Sequence, residues 1–128
     1  MRASTKRWFK RSEYDFVTAT AMWKARRYLY VAFTCQQTVE KCLKGIIAER
    51  SDKIPPYTHR LVTLVEVAEI TATQEQLDFL EFVTQYYIRS RYPEVKDRLA
   101  RGLTKSSTKV LLDQTKECLK WLKNVLKM

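Results

Sequence analysis

The chain has 128 residues and 45% hydrophobic content, which suffices for one domain around a single core and is too little for two well-packed domains. Two glycines, three prolines and 30% charged residues argue against a β fold with many turns and favour an all-α domain. The formal charge of +10 favours approach to polyanions such as RNA, DNA or an acidic protein.

The N-terminal segment predicts a long helix that ends near Lys24, with Ser4 or Thr5 as its cap. Its apolar face consists of Trp8, Phe9, Phe16, Ala19, Met22 and Trp23. No continuous apolar run follows the basic residues at its start, so the segment resembles neither a signal peptide nor a membrane span. We therefore expect a cytoplasmic protein without a membrane partner.

A short junction at residues 25–27 precedes the second predicted helix, Tyr28–Arg50, so the two helices should form an antiparallel hairpin. Gln36, Glu40 and Lys44 recur every four residues and form a polar stripe along the second helix. Two interpretations of the stripe are open. It is either a solvated helix edge with one ordinary ion pair, or a buried polar network or dimer seam.

The prolines at 55 and 56 break the chain after the second helix, because proline lacks a backbone donor and restricts the residue before it. A third helix is predicted over residues 59–70, capped by Thr58, and a fourth over residues 73–89. The fourth carries more apolar side chains than one narrow stripe needs, which indicates a second helix contact or an oligomer interface. The core-facing set is Leu77, Leu80, Val83, Tyr87 and Ile88, and the surplus set is Phe79, Phe82 and Tyr86.

Residues 91–105 are highly charged and contain a proline and a glycine, so we expect a loop with one short helical turn over residues 95–101. Arg89 and Arg91 lie where the fourth helix ends and this loop begins. Near a helix end, both guanidinium groups can reach one phosphate or carboxylate. The neighbouring Tyr92 is a candidate for stacking on a base.

The last helix is predicted over residues 108–126, with Ser106 or Ser107 as its cap. Its inner face consists of Val110, Leu111, Thr115, Cys118, Leu122, Val125 and Leu126. Four long helices and one shorter helix predict an up-and-down bundle.

The three cysteines, Cys35, Cys42 and Cys118, show neither CxxC nor Cys/His metal-ligand spacing. We expect them to be free thiols in the core of a protein from a reducing compartment. The single histidine excludes a pair of metal-binding histidines, and the chain has no glycine-rich phosphate loop. We therefore expect no metal and no cofactor.

Four sequence words, in order, resemble a known family: QQTVEKCLKG in the second helix, YTH at residues 57–59, YYIRSRYPE, and LDQTKECLKWL in the last helix. Together they resemble the HEPN domain, the higher eukaryotes and prokaryotes nucleotide-binding family, in its stand-alone prokaryotic form. The resemblance spans nearly the whole chain and implies a single helical domain over residues 1–128, commonly a homodimer. It also implies a small, separately encoded nucleotidyltransferase as partner, often in a toxin–antitoxin-like module.

Many HEPN proteins are metal-independent RNases that use an arginine followed at short spacing by a histidine. The histidine here is His59, and no arginine precedes it at that spacing. Lys53, with five residues intervening, would supply a lysine version of the motif. Lysine keeps the charge but loses the planar, bidentate match to phosphate.

Three functions remain open from the sequence. We favour a non-catalytic HEPN-domain protein that dimerises and binds a nucleotide, RNA or a nucleotidyltransferase. The first alternative is a metal-independent endoribonuclease that uses His59 with Lys53, and the second is a purely structural interaction protein. The residues expected to contact a nucleotide or RNA are Lys44, His59, Arg89, Arg91 and Tyr92.

Overall fold

A computed structural model describes residues 1–127, except for the side chain of Ser90. The described residues form six α-helices and no strand, so the predicted all-α class is confirmed. The helices are α1 (Ala3–Lys24), α2 (Tyr28–Arg50), α3 (Leu61–Val67), α4 (Gln74–Ile88), α5 (Pro93–Arg101) and α6 (Lys105–Val125). A 3₁₀ turn at Arg89–Arg91 joins α4 to α5. The bundle thus has four long helices and two short ones, one short helix more than the sequence predicted.

Helix α2 is the centre of the bundle and packs against α1, α3, α4 and α6. Every residue from Cys42 to Ala48 is buried, so this part of α2 is enclosed on all sides. A helix that is enclosed in this way must satisfy its polar side chains inside the protein. The polar stripe on α2 therefore lies in the interior of the bundle.

The hairpin of α1 and α2 forms as predicted. Arg26 adopts the left-handed conformation, with φ of 62°, and the Arg27 amide donates to the Met22 carbonyl at 2.8 Å. The two helices approach closely at Gly45. A Cβ atom added there would lie 2.6 Å from Cε1 of Phe9, so the aromatic ring occupies the space that any other residue would need.

The predicted caps of α1 and α6 are wrong. Helix α1 begins one residue before Ser4, and Arg2 is its N-cap residue, while Thr5 is buried and its hydroxyl donates to Glu49. Helix α6 begins at Lys105 because Thr104 caps it. The Thr104 hydroxyl accepts from the Ser107 amide at 3.0 Å, and Ser107 Oγ accepts from the Thr104 amide at 2.8 Å. Ser107 is therefore the third helical residue of a capping box rather than the cap.

Helix α3 is shorter than predicted at both ends: it stops at Val67, with Glu69 in the left-handed conformation at φ of 57°, and the chain before it is committed to tertiary hydrogen bonds. The His59 carbonyl accepts from Gln36 on α2 instead of from its own helix. Helix α3 starts only at Leu61, with Arg60 as its N-cap residue, and the Thr58 hydroxyl accepts from the Arg60 amide in the preceding loop. His59 thus lies before the helix and not in its first turn.

The short helical turn predicted over residues 95–101 is present as part of a longer helix, α5, which replaces most of the loop predicted for residues 91–105. Pro93 is the first residue of α5, where its missing N–H leaves no helical hydrogen bond unmade. No residue of α5 is buried, and the helix has charged residues in both its first and last turns. The basic turn that carries Arg89 and Arg91 is consequently held between two helices rather than at the start of a long loop.

The core face of α6 differs from the sequence-based face at several positions: Thr108, Leu112 and Leu119 are also buried, and Leu126 is only partly buried. Val110, which was expected inside, is 55% exposed. The buried residues of this helix are Thr108, Leu111, Leu112, Thr115, Cys118, Leu119, Leu122 and Val125.

All three cysteines are free and buried. Burial raises the pKa of Cys35 to about 11 and that of Cys42 to about 12, so neither thiol is reactive at neutral pH. Among the helices that the structure describes, none combines the length and the apolar composition needed to cross a bilayer.

Candidate functional site

The polar stripe of α2 is a buried network. Gln36 is completely buried, Glu40 is 4% exposed and Lys44 is 7% exposed, which excludes the solvated-edge interpretation. One carboxylate oxygen of Glu40, Oε1, accepts from Gln36 Nε2 at 3.1 Å, and the other, Oε2, accepts from Lys44 Nζ at 3.0 Å. The charge of the buried carboxylate is therefore compensated by a buried ammonium group.

His59 joins this network from the loop between α2 and α3. Its Nδ1 lies 2.8 Å from Oε1 of Glu40, and its carbonyl accepts from Gln36 Nε2 at 2.8 Å. Since an ionised carboxylate can only accept, Nδ1 carries the hydrogen of this bond. Two neighbouring residues of one helix face thus hold both the backbone and the ring of His59.

Tyr87 of α4 contacts the other side of the histidine. Its hydroxyl lies 3.0 Å from His59 Nε2, and in the neutral histidine that nitrogen accepts from the hydroxyl. The two rings are 4.0 Å apart between centroids, and the ring of Phe33 stacks against Tyr87 at 5.2 Å. Tyr87 was predicted as a core residue, but it is only half-buried and positions His59, whose side chain is 38% exposed.

Arg91 adds a cation at the surface end of this arrangement. Its Cζ atom lies 5.7 Å from the centroid of the Tyr87 ring, at the distance of a cation–π contact. The residue itself is exposed. A continuous series of contacts therefore leads from the buried Lys44 through Glu40, His59 and Tyr87 to the solvent-exposed Arg91. We call these five residues the His59 site.

The remaining sequence candidates are placed differently. Arg89 and Tyr92 are exposed on the same turn as Arg91, and no described contact joins either of them to His59. Lys44 is enclosed between Glu40 and Trp8, whose ring centroid lies 5.8 Å from Nζ. Lys44 is thus an interior partner of the site and is not available to a ligand.

Lys53 does not reach the histidine through any described contact. It is exposed in the loop between α2 and α3, and its described hydrogen bond is a backbone one, from its amide to Ser51 Oγ at 3.1 Å. The structure therefore does not assemble the lysine version of the RNase motif. The cation that lies beside the His59–Tyr87 pair is Arg91, which follows the histidine in the sequence.

The side-chain amide of Gln36 has only one orientation that fits its contacts with Glu40 and His59. Its Nε2 donates to both Glu40 and His59, while its Oε1 is buried without a hydrogen-bond partner in the part of the chain that the structure describes. A buried acceptor of this kind costs about 1–3 kcal/mol. The flipped amide would place oxygen against oxygen at both contacts, so the two hydrogen bonds determine the orientation.

The site offers hydrogen-bond donors to an anion rather than ligands to a metal. These donors belong to the exposed guanidinium group of Arg91, since both ring nitrogens of the partly exposed His59 already contact Glu40 and Tyr87. Within residues 1–127, no group of three or more His, Cys, Asp and Glu side chains lies close enough together to hold a metal ion. The arrangement is therefore suited to binding a phosphate group.

Sequence reasoning missed the role of Tyr87 in the His59 site and the contact of Phe33 with the Tyr87 ring. The sequence did contain an indication that Tyr87 contacts Arg91. Tyr87 precedes Arg91 by four residues, and residues at that spacing meet on the surface of a helix. Phe33 carried no comparable signal. Its spacing fitted the apolar face of α2 as well as it fitted a contact with the site.

Comparisons with known proteins agree with this architecture. The family model of the HEPN domain matches residues 5–125. A crystal structure of the protein TT1696 from Thermus thermophilus superposes with a TM-score of 0.81, covering 96% of this chain and 98% of that chain at 19% sequence identity. At this level of identity the likeness concerns the fold alone. A comparison with curated proteins finds no match.

Proposed function

The chain belongs to the HEPN domain family, and on that premise we propose that it is a non-catalytic RNA- or nucleotide-binding protein that receives a phosphate at the His59 site. The observation that carries the proposal is the placement of Arg91. Its exposed guanidinium lies against the Tyr87 ring, next to a histidine that is oriented by a buried carboxylate.

Phosphate recognition follows from the chemistry of these groups. A guanidinium held against an aromatic ring presents its remaining N–H donors to an oxyanion with little loss of side-chain freedom. Arg89, exposed on the same 3₁₀ turn, adds a second cation. The net charge of +10 raises the rate of encounter with a polyanion and makes binding dependent on salt.

Exposed aromatic residues near the site support nucleotide recognition beyond the phosphate. Tyr57 is completely exposed two residues before His59, and Tyr92 is 65% exposed directly after Arg91. Bases of single-stranded RNA stack on such rings, because every base presents an aromatic face. A phosphate at Arg91 with a base on one of these tyrosines would make a nucleotide the smallest ligand.

The state of His59 argues against catalysis. Both ring nitrogens already have partners, Nδ1 with Glu40 and Nε2 with the Tyr87 hydroxyl. A general base must offer a free nitrogen to the hydroxyl that it deprotonates. In this arrangement the histidine connects α2 to α4 and shapes the anion site.

One observation favours an endoribonuclease as the second candidate. A histidine whose Nδ1 is held by a buried carboxylate has the orientation of a general base, and Arg91 supplies a cation. In this mechanism Nε2 would leave Tyr87 and accept the proton of the ribose 2′-hydroxyl as that oxygen attacks the phosphorus. The bond from phosphorus to the 5′-oxygen breaks, the 5′-oxygen takes a proton from solvent, and the products are a 2′,3′-cyclic phosphate and a 5′-hydroxyl. Arg91 would then replace Lys53 as the group that stabilises charge on the phosphate.

Assembly is the part of the proposal that rests on family membership. We propose a cytoplasmic homodimer that pairs with a small nucleotidyltransferase in a toxin–antitoxin-like module, which is what the resemblance to stand-alone prokaryotic HEPN proteins implies. A purely structural protein, the third possibility, would bind no nucleotide even at low salt.

Binding of a fluorescently labelled single-stranded RNA, measured at low salt without metal and with analysis of the products, tests these functions. Arg91→Ala should weaken binding about tenfold, whereas Arg7→Ala, which removes another exposed arginine, from α1, should have a much smaller effect. An equal loss of affinity in both variants would show that RNA is bound by general charge attraction and not at the His59 site. Cleavage that disappears in His59→Ala would establish the second candidate instead.

A further inference from the structure

A groove of about 1250 Å³ lies between α4 and α6 and shares no residue with the His59 site. We call it the α4–α6 groove. Its apolar lining includes Phe79 and Phe82 from α4 and Val110 and Trp121 from α6. Phe82 is 51% exposed and Val110 is 55% exposed, so two large apolar side chains face solvent across one groove. Apolar residues concentrated in this way mark binding surfaces rather than ordinary surface.

The groove exists because α4 and α6 both pack on α2 and scarcely touch each other. The edge-to-face contact between Phe82 and Tyr86, with centroids 5.4 Å apart, fixes the aromatic wall on α4. Tyr86 itself is buried, and this burial raises the pKa of its phenol. The walls of the groove are thus formed mainly by two helices, and Gly102 and Leu103 from the loop before α6 also line it.

The rim of the groove is acidic in an otherwise basic protein. Glu75 and Asp78 from α4 and Asp113 and Glu117 from α6 line it, and none of the lining residues is lysine or arginine. Asp78 accepts from Gln74, and Asp113 pairs with Lys109, which lies outside the groove. All four carboxylates are exposed, so these surface contacts are weak and exchangeable.

We propose that the α4–α6 groove binds a basic amphipathic helix of a partner protein. The apolar stripe of that helix would cover Phe82 and Val110, and its lysine or arginine residues would pair with the acidic rim. Two turns of α-helix with their side chains occupy roughly 1000 Å³, which the groove can accept. Nucleic acid is excluded from this face because its phosphates would meet four carboxylates.

A second copy of this chain is a poor occupant for reasons of symmetry. A two-fold contact through the groove would place one acidic rim against the other, since such interfaces use the same patch on both subunits. The basic start of α1 could enter the groove of another copy only in a head-to-tail contact. A contact of that kind does not close on itself unless it forms a ring, so a separate protein is the better partner.

The proposal does not rest on the function assigned to the His59 site. The groove and that site have no residue in common, so a variant of one leaves the other unchanged. Loss of RNA binding in Arg91→Ala with intact groove binding, or the reverse, would show which of the two proposals fails.

A model peptide serves as the probe. It has 18 residues, with leucine at positions spaced as on one helix face and lysine elsewhere, and a comparison peptide carries glutamate in place of lysine. Fluorescence anisotropy at low salt should show binding of the lysine peptide and at least about tenfold weaker binding of the glutamate peptide. The double variant Asp78→Lys/Glu117→Lys should invert this preference.

Phe82→Ser should weaken binding of the lysine peptide about tenfold, because it removes an apolar contact at the centre of the groove. Val17→Ser on α1, which changes a side chain that is 68% exposed, is the matched control and should leave affinity unchanged. Circular dichroism confirms the fold of each variant, and the exposed charge variants test the groove independently of Phe82. Equal binding of both peptides, or unchanged affinity in Phe82→Ser, would overturn the proposal. Self-association that is detected by sedimentation and abolished by Phe82→Asp would also overturn the proposal, because a second copy of the chain would then occupy the groove.

Discussion

The carboxylate of Glu40 and the imidazole of His59 are separated by 19 positions in the chain and meet at 2.8 Å between Oε1 and Nδ1. This contact ties the loop after α2 to the centre of the bundle. It also converts a stripe of polar residues on one helix into a network that extends to the surface.

Removing the buried carboxylate should cost much of the stability of the protein. Glu40→Ala leaves the Lys44 ammonium buried without its partner and frees the His59 ring, so we expect a loss of about 3–5 kcal/mol in the free energy of unfolding. Urea denaturation measures it. Lys44→Met added to Glu40→Ala should recover part of the loss, because the unpaired charge is then gone. If Glu40→Ala lost no more free energy of unfolding than the double variant, Glu40 and Lys44 would not be energetically coupled.

Tyr87→Phe removes the hydroxyl and keeps the ring that contacts His59 and Phe33. We expect a decrease of about 0.5–1.5 kcal/mol in the free energy of unfolding, the net value of one hydrogen bond. Nitrogen NMR of the imidazole supplies the more specific measurement. The signal of Nε2 should change in the variant, while Nδ1 should remain protonated through its contact with Glu40. An unchanged Nε2 signal would show that the hydroxyl is not its partner in solution.

The start of α1 should contribute a pH-dependent part of stability through Glu49. The Arg2 amide donates to this carboxylate at 2.8 Å and the Thr5 hydroxyl at 2.9 Å, and these hydrogen bonds lower the pKa of Glu49. Because the folded state binds the proton less tightly than the unfolded chain, the stabilisation is present at neutral pH. It is lost as the pH falls through the range where glutamate titrates, about pH 4 and below.

Thermal unfolding at neutral and at acidic pH checks this expectation. Glu49→Gln should have a lower melting temperature than the wild type at pH 7, and the difference should shrink on acidification. Glu13→Gln, an exposed carboxylate with a long contact to Lys123, is the matched control and should show little change. A constant difference between wild type and Glu49→Gln at both pH values would rule out the carboxylate as the source.

Gly45→Ala should destabilise the hairpin of α1 and α2. The new methyl group would lie 2.6 Å from the Phe9 ring and 3.2 Å from Cβ of Trp8, so the helices must shift or the ring must move. Overpacking of this kind costs about 1–3 kcal/mol, of which the better helix propensity of alanine returns about 1 kcal/mol. Phe9→Leu combined with Gly45→Ala should be more stable than Phe9→Leu alone. If Gly45→Ala alone were stabilising, the close approach of the helices would be refuted.

Much of the helical content could be predicted from the sequence, because helix formation is decided largely by contacts between residues three and four positions apart. The prediction for Tyr28–Arg50 agrees with α2 at both ends. It succeeded because the apolar period is long and a proline pair follows. The capping box at Thr104 was missed in favour of the serines after it, since several adjacent hydroxyl residues can each satisfy a local capping pattern.

The site was only partly predictable. Sequence alone identified the stripe of Gln36, Glu40 and Lys44, and it identified His59 and Arg91 as carriers of chemistry. The sequence also suggested Lys53 as the partner of His59, because the RNase motif of the family places its basic residue a few positions before the histidine. The structure brings Tyr87 to the histidine across 28 positions. A separation of that length leaves no periodic signal in the chain.

The amino-acid sequence by itself determined the helical class, the hairpin, the basic charge and the polar stripe, since each follows from composition or from spacing along one helix. The tertiary structure decided that the stripe is buried, that Glu40 orients His59, and that Arg91 rather than Lys53 supplies the neighbouring cation. It also decided that α4 and α6 leave an acidic, apolar groove between them. Burial and pairing depend on how separate helices pack against α2, which the local pattern of each helix does not specify.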